Sequence, residues 1–366
     1  MDSKELSYPL YDGPLLKSRA IMDEGRVKVS LAGPFSMLPG IRSAVDIIDG
    51  QIPAKIGEKL FLSTWLPPAP SRTFDRFVES KIKSILGKRT PDQVTISITE
   101  ECPNKCVHCA LPDSGKRLQL DTNLVKDIIS QILDLGTTLV IFDGGEPALY
   151  QKLPELVATV DDRAISTMFT SGAGFVASLA EQLKDSGLQA VNVSLDSPVP
   201  EEHDAMRERK GAFRDAMKAA ENALAAGLLV DIYVVLRREN ICHLRPFHEL
   251  AAKIGAHELT FFEVVPTGRW LGRTDVALSN EDYEVLKEFV NYAEAPRIFS
   301  IPSALKHFGC FGGRNWMHIT PAGEVYPCAC FPRSFGNIRQ ESLRKIWRRM
   351  GSFPFKGRKI CPMRIQ

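Results

Sequence analysis

Residues 94–109 read V-T-I-S-I-T-E-E-C-P-N-K-C-V-H-C: a β-branched, strand-prone run over 94–99, then Cys102, Cys106 and Cys109 in a tight loop. A [4Fe-4S] cluster ordinarily takes one thiolate on each iron. A loop that offers three therefore leaves one iron for ligands from outside the chain. The same cysteines with His108 also make an acceptable zinc set, since thiolate and imidazole are the usual ligands of structural zinc.

The next strand-prone run, 138–143, ends in Gly144-Gly145-Glu146-Pro147. Paired glycines let the backbone approach a ligand with no Cβ in the way. Glu146 offers a carboxylate for a charge-assisted hydrogen bond to a cation. Together the C-x3-C-x2-C loop and the G-G-E-P turn resemble the radical S-adenosylmethionine (AdoMet) superfamily. That resemblance implies that the amino and carboxylate groups of AdoMet chelate the open iron, with Glu146 accepting from the ammonium. One electron from the reduced cluster then breaks a carbon–sulfur bond, and the 5′-deoxyadenosyl radical removes a hydrogen atom from the substrate. Cys102, Cys106 and Cys109 become the catalytic ligands, and Gly144, Gly145, Glu146 and Pro147 belong to the cofactor site. The protein's share is to bind, orient and shield.

Short β-branched runs alternate with helix-period segments through the middle of the chain. Strands are expected over 94–99, 138–143, 164–170, 190–195, 229–236 and 258–264, with helices around 123–135, 153–160, 174–186, 212–226 and 244–254. Parallel strands joined by right-handed crossovers curl, so the fold class is α/β, a partial (β/α)6 TIM-like barrel, as the resemblance also implies. In such barrels the chemistry sits at the C-terminal strand ends. There lie Thr170 and Ser171 after the third strand and Ser194 and Asp196 at the end of the fourth. The resemblance makes the last two contacts to the AdoMet ribose or carboxylate; a solvated strand end and a helix cap are the plain alternative. Arg207 resembles a carboxylate-pairing position, and Pro266-Thr267-Gly268-Arg269 resembles a turn of relatives with extra clusters; it either closes the pocket or only turns the chain.

A second cysteine group discriminates further. Cys310 is followed by twelve residues, then Gly323, then Cys328, Cys330 and, near the end, Cys361. This resembles the opening of a SPASM domain, C-x(9–15)-G-x4-C, but omits its later C-x2-C-x5-C-x3-C run. Four thiolates suffice for one fully ligated auxiliary [4Fe-4S] cluster, so two clusters are expected in all, with zinc as the alternative for the second site. A hairpin over 316–320 and 324–327 presents the first ligands, and a helix near 341–349 packs beside them. Cys242 has no cysteine neighbour and is expected to be buried and structural.

The chain has 366 residues, 44% hydrophobic, and a net charge of +2, which argues against a nucleic-acid binder working by bulk charge. Clustered cysteines indicate a reducing compartment rather than disulfides. No signal-like segment or run long enough to span a bilayer is present, so the cytoplasm is expected. The organisation expected is residues 1–92 as a helical cap, 93–275 as the barrel, and 276–366 as a linker helix plus SPASM-like extension. An apolar stripe over 73–87, flanked by basic residues, also fits an interfacial helix; it raises peripheral contact with the inner membrane face and a hydrophobic, lipid-like substrate. Residues 1–92 show no strand-rich winged-helix pattern of the kind that captures leader peptides. The resemblance adds a ferredoxin or flavodoxin reductant. Peptide maturation and tetrapyrrole side-chain modification are the alternatives, and a non-catalytic iron–sulfur or zinc protein is the alternative of another class.

Overall fold

The computed structural model describes residues 6–46, 48–111, 117–290, 294–359 and 361–364. In chain order the elements begin with β1 (Leu6–Asp12), β2 (Lys17–Asp23), β3 (Arg26–Ala32), α1 (Pro39–Asp46), β4 (Ala54–Ile56), β5 (Lys59–Phe61) and α2 (Arg72–Ile85). The barrel follows: β6 (Gln93–Thr99), α3 (Thr122–Leu135), β7 (Leu139–Gly144), α4 (Leu153–Val157), β8 (Ile165–Thr170), α5 (Ala177–Asp185), β9 (Ala190–Leu195), α6 (Pro200–Arg207), α7 (Ala212–Ala225), β10 (Leu229–Leu236), α8 (Leu244–Ile254) and β11 (Glu258–Glu263). Last come α9 (Asn280–Val290), β12 (Arg297–Ser300), α10 (Ile301–Phe308), β13 (Trp316–Ile319), β14 (Val325–Tyr326) and α11 (Leu343–Met350).

The six expected strands, β6 to β11, are adjacent and parallel, in one nine-stranded sheet of order β12-β11-β10-β9-β8-β7-β6-β13-β14. The sheet is wider than expected. β12 adds in parallel to β11, and β13 adds in parallel to β6, with Trp316 opposite Gln93 and His318 opposite Thr95. The hairpin of the second cysteine group is thereby hydrogen-bonded into the barrel sheet, so position 275 divides the chain but not the sheet.

Each barrel strand is covered on its outer face by helices, which is why the strands read as continuous apolar runs. α3 shows how the cover forms. Asp121 caps it by accepting from the Asn123 and Leu124 amides at 2.9 and 3.3 Å, and Gly136 ends it at φ 107°. Its Val125, Ile128, Ile129, Ile132 and Leu133 are buried at helical spacing, each worth roughly 1.5–3 kcal/mol on leaving water.

Residues 1–92 depart from the helical cap that was expected. α1 and α2 are present, but a three-stranded antiparallel sheet of order β1-β2-β3 and the short hairpin β4-β5 accompany them. Alternating residues such as Val27 and Val29 in β3 face the sheet's own core, with Leu10, Ala20, Leu60, Leu62 and Phe74. Part of the α2 stripe is spent internally as well: Phe74 and Val78 join this core and Ile82 joins Leu16 and Ile41 in another, while Ile85 and Leu86 stay exposed. No helix among the described residues is long and apolar enough to cross a membrane.

Candidate active site in the barrel lumen

The cysteine loop leaves the end of β6 and is held from three sides, by the exit of β7, the end of α6 and the turn after β11. Gly145 N–H donates to Thr99 O at 2.6 Å and Glu146 N–H to Glu101 O at 2.7 Å. A Cβ on Gly144 would stand 2.3 Å from Thr99 O, and one on Gly145 2.4 Å from Glu101 O. The paired glycines therefore let β7's exit lie against the root of the loop, where the sequence suggested an approach to a ligand. On the other side, the Lys105 and Val107 amides donate to the Arg207 and Met206 carbonyls at 3.1 and 3.0 Å. The Pro266–Arg269 turn is the third clamp: Arg269 N–H donates to Cys109 O at 3.0 Å, its side chain to Lys105 O at 2.7 Å, and a Cβ on Gly268 would stand 2.1 Å from Cys109 O.

Glu146 is fully buried, and its carboxylate accepts four hydrogen bonds: from Thr170 Oγ1 (2.8 Å), Ser171 N (2.8 Å), Ser171 Oγ (2.5 Å) and Ala148 N (3.1 Å). Four acceptances fill a carboxylate. These internal donors tie the exit of β7 to that of β8. Burial raises the Glu146 carboxyl above the usual range, and the Ser171 and Thr170 bonds act against it.

Asp196 takes a similar position below the loop. Its carboxylate lies 2.6 Å from Arg207 Nε and 3.3 Å from His108 Nε2, and Arg207 reaches Cys106 Sγ at 3.7 Å. Burial opposes the charge on Asp196, yet Arg207, with His108, His203 and Arg237, holds it down at about 2. His108 packs on Trp270, ring centres 5.6 Å apart, and burial keeps it below its ordinary pKa.

These loops rim a cavity of about 1420 Å³ that continues into the barrel. Cys102, Cys106, Cys109, Gly144, Gly145, Pro147, Thr170, Ser171, Ser194 and Arg207 line it; Glu146 and Asp196 stand behind its wall. Burial pushes the Cys102 thiol up to about 11, and Cys330, which lines the far side, up to about 12. Cys310 and Cys361 sit near Cys330 and raise its thiol, and all three raise that of Cys328, burial being the larger cause in each. The chain brings Cys361 back by pairing Cys310 N with Arg358 O (2.7 Å) and Gly357 N with Cys310 O (2.9 Å), and by an ion pair between Arg364 and Glu263 at the end of β11. Cys242 is exposed, contrary to expectation, because its turn before α8 lies on the surface.

Several lumen residues carry no motif and escape a reading of the sequence. Phe169, Tyr233 and Phe262 make a continuous aromatic wall with Trp65: Phe169 and Tyr233 meet edge-on at 4.8 Å, and Trp65 lies 5.9 and 6.0 Å from them. Asp143, directly before the paired glycines, faces the lumen without a lysine or arginine partner among the described residues, and burial raises it to about 6. Between its ordinary 3.8 and about 6 the folded chain binds more protons than the unfolded one, so stability falls as pH rises through that window. Asp143→Asn is expected to remove this slope, worth on the order of 3 kcal/mol, read as a smaller difference in Tm between pH 4 and pH 7.5 than the wild type shows.

The floor of the lumen comes from residues 63–66. Ser63 Oγ donates to both Glu258 carboxylate oxygens at 2.9 Å, and the Thr64 amide and hydroxyl donate to Oε2 at 2.6 Å. Arg297 completes the cluster at 2.7 Å, and Trp65 Nε1 donates to Asp231 and Thr260 at 3.2 and 3.1 Å.

The sequence model of the radical SAM superfamily matches residues 96–251, and that of the SPASM iron–sulfur cluster-binding domain matches residues 310–361. A PqqA peptide cyclase of Ruegeria pomeroyi is 30% identical over 279 residues, 70% of this chain and 74% of the relative. The chain belongs to the radical SAM superfamily. An AdoMet-dependent heme synthase of Nitratidesulfovibrio vulgaris is 27% identical over 301 residues, 73% of this chain and 81% of that one. Among solved structures, Streptococcus suis SuiB bound to precursor peptide SuiA shares the fold with a TM-score of 0.61 at 14% identity, covering 95% of this chain and 90% of that chain. Native anSMEcpe with bound AdoMet gives a TM-score of 0.58 at 18% identity, over 72% of this chain and 82% of its own.

AdoMet and two iron–sulfur clusters are the cofactors of this radical SAM/SPASM enzyme. The donor sets fit them. Three thiols on one wall of a cavity suit a cluster with an iron left for AdoMet, and Cys310, Cys328, Cys330 and Cys361, near enough to act on one another electrostatically, suit a fully ligated one. When bound, the first cluster and AdoMet supply the hydrogen-abstracting radical. The chain's own part is to hold the loop through its three clamps and to line the lumen beside it with an aromatic wall.

Proposed function

We propose that this radical SAM enzyme modifies a bulky ring system with acidic side arms, of the tetrapyrrole class, held inside the barrel. The carrying observation is the lumen itself: about 1420 Å³ between the two cysteine groups, walled by Phe169, Tyr233 and Phe262 and floored by Trp65. Flat aromatic faces suit a planar apolar body. Arg314 also lines the lumen; it donates to Phe308 O at 2.6 Å and forms no ion pair among the described residues, so its remaining donors can meet an acidic arm. The heme synthase relatives, which this chain spans over most of their length, support the reading. Cys102, Cys106 and Cys109 serve as cluster ligands, Gly144, Gly145, Pro147, Thr170, Ser171 and Ser194 form the AdoMet seat, and Cys310, Cys328, Cys330 and Cys361 hold the auxiliary cluster. A small ferredoxin or flavodoxin supplies electrons. Of the α2 stripe, Phe74, Val78 and Ile82 pack within residues 6–92, while Ile85 and Leu86 are exposed, and the relatives support the ring-system substrate rather than a lipid-like one.

The PqqA peptide cyclase relatives favour a peptide as second reading. Anaerobic incubation with AdoMet, dithionite and either an iron coproporphyrin or a tyrosine-containing peptide separates the two. The expected result is 5′-deoxyadenosine together with a mass change in the porphyrin. A mass change in the peptide alone overturns the first reading.

A further inference from the structure

We propose that the Asp196–Arg207 ion pair sets the reduction potential of the cluster held by the cysteine loop, acting through the Cys106 sulfur. This rests on the cysteine loop carrying that cluster. The resemblance gave Arg207 a different task, pairing with a carboxylate of AdoMet. In the structure its guanidinium reaches Cys106 Sγ at 3.7 Å while Nε stands 2.6 Å from Asp196 Oδ2. Five N–H donors leave others for the cavity that Arg207 also lines.

The pair is out of water: the side chains of Arg207 and Asp196 are 10% and 1% exposed. Hydrogen bonds to the sulfurs, local charge and burial are the levers a protein has over a cluster's potential. A cation donating to a ligand sulfur stabilises the more negative, reduced cluster and so raises the potential. Asp196 beside it partly cancels that cation and so limits the rise.

The geometry is fixed from several sides. The Asp196 amide donates to His203 Nδ1 at 3.1 Å, and its carbonyl accepts from Arg237 and Asn240, both at 3.2 Å. The Arg207 carbonyl accepts from Lys105 within the loop at 3.1 Å. The pair is therefore a positioned dipole with its positive end toward Cys106.

The test is an EPR-monitored redox titration of the protein with both clusters loaded, the auxiliary cluster serving as internal reference and iron counted per chain. Arg207→Gln is expected to shift the loop cluster to a more negative potential, and Asp196→Asn to a less negative one. Arg207→Lys keeps the charge without the planar fork and is expected to fall between Arg207→Gln and wild type. Shifts of the same sign in Arg207→Gln and Asp196→Asn, as general loosening of the loop gives, overturn the proposal; so does an unmoved potential in both. If Arg207→Gln does not retain iron, the sign for Asp196→Asn decides. A wild-type protein whose loop shows no AdoMet-responsive cluster signal refutes the underlying assignment instead.

Discussion

Cys106→Ala is expected to reduce AdoMet cleavage to background, with 5′-deoxyadenosine after dithionite reduction as the readout. Cys106 is the middle ligand of the loop and the one that Arg207 approaches. Without it two thiolates remain, too few to hold the loop cluster, and iron is expected to fall from about eight to about four per chain. Cys328→Ala is the contrast. It touches the second cysteine group, and it is expected to spare part of the cleavage while stopping conversion of substrate. Cleavage at the wild-type rate in Cys106→Ala would remove the cysteine loop from the reaction.

Glu258→Ala is expected to cost about 3–5 kcal/mol of stability, the usual penalty for stripping one member from a buried ion pair. Glu258 is 1% exposed and receives Arg297, Ser63 and Thr64. Its loss strands the buried Arg297 guanidinium and frees the segment that carries Trp65. A lower Tm should therefore come with a red shift of tryptophan emission that disappears in a Trp65→Phe background. An unfolding free energy within about 1 kcal/mol of wild type would show that the floor is held by other contacts.

The barrel was legible because its strands and helices obey one rule throughout. Strands buried on both faces are unbroken β-branched runs, and the intervening helices carry an apolar face at helical spacing, so 190–195, 229–236 and 244–254 coincide with β9, β10 and α8. Residues 1–92 were less legible because their strands are short and half-exposed. β3, Arg-Val-Lys-Val-Ser-Leu-Ala, does alternate with period two after the turn at Glu24-Gly25, and that signal outweighs the glycine and proline breaks on which a reading of helices and turns rests. The cysteines were readable from spacing alone. The use of Glu146 was not, since its four donors come from positions 148, 170 and 171 and meet only after β7 and β8 are side by side. Tyr233 and Phe262 look like ordinary core in the sequence, and only the curl of the sheet turns them toward a lumen.

Because the floor belongs to residues 63–66, upstream of the stretch matched to the superfamily, the two ends of the barrel answer to different parts of the gene. Under the function proposed above, mutational drift or insertion near Trp65 deepens or shortens the chamber that takes the substrate, while the cysteine-loop end stays untouched. For an engineer this is a dial for substrate size that is separate from the ignition.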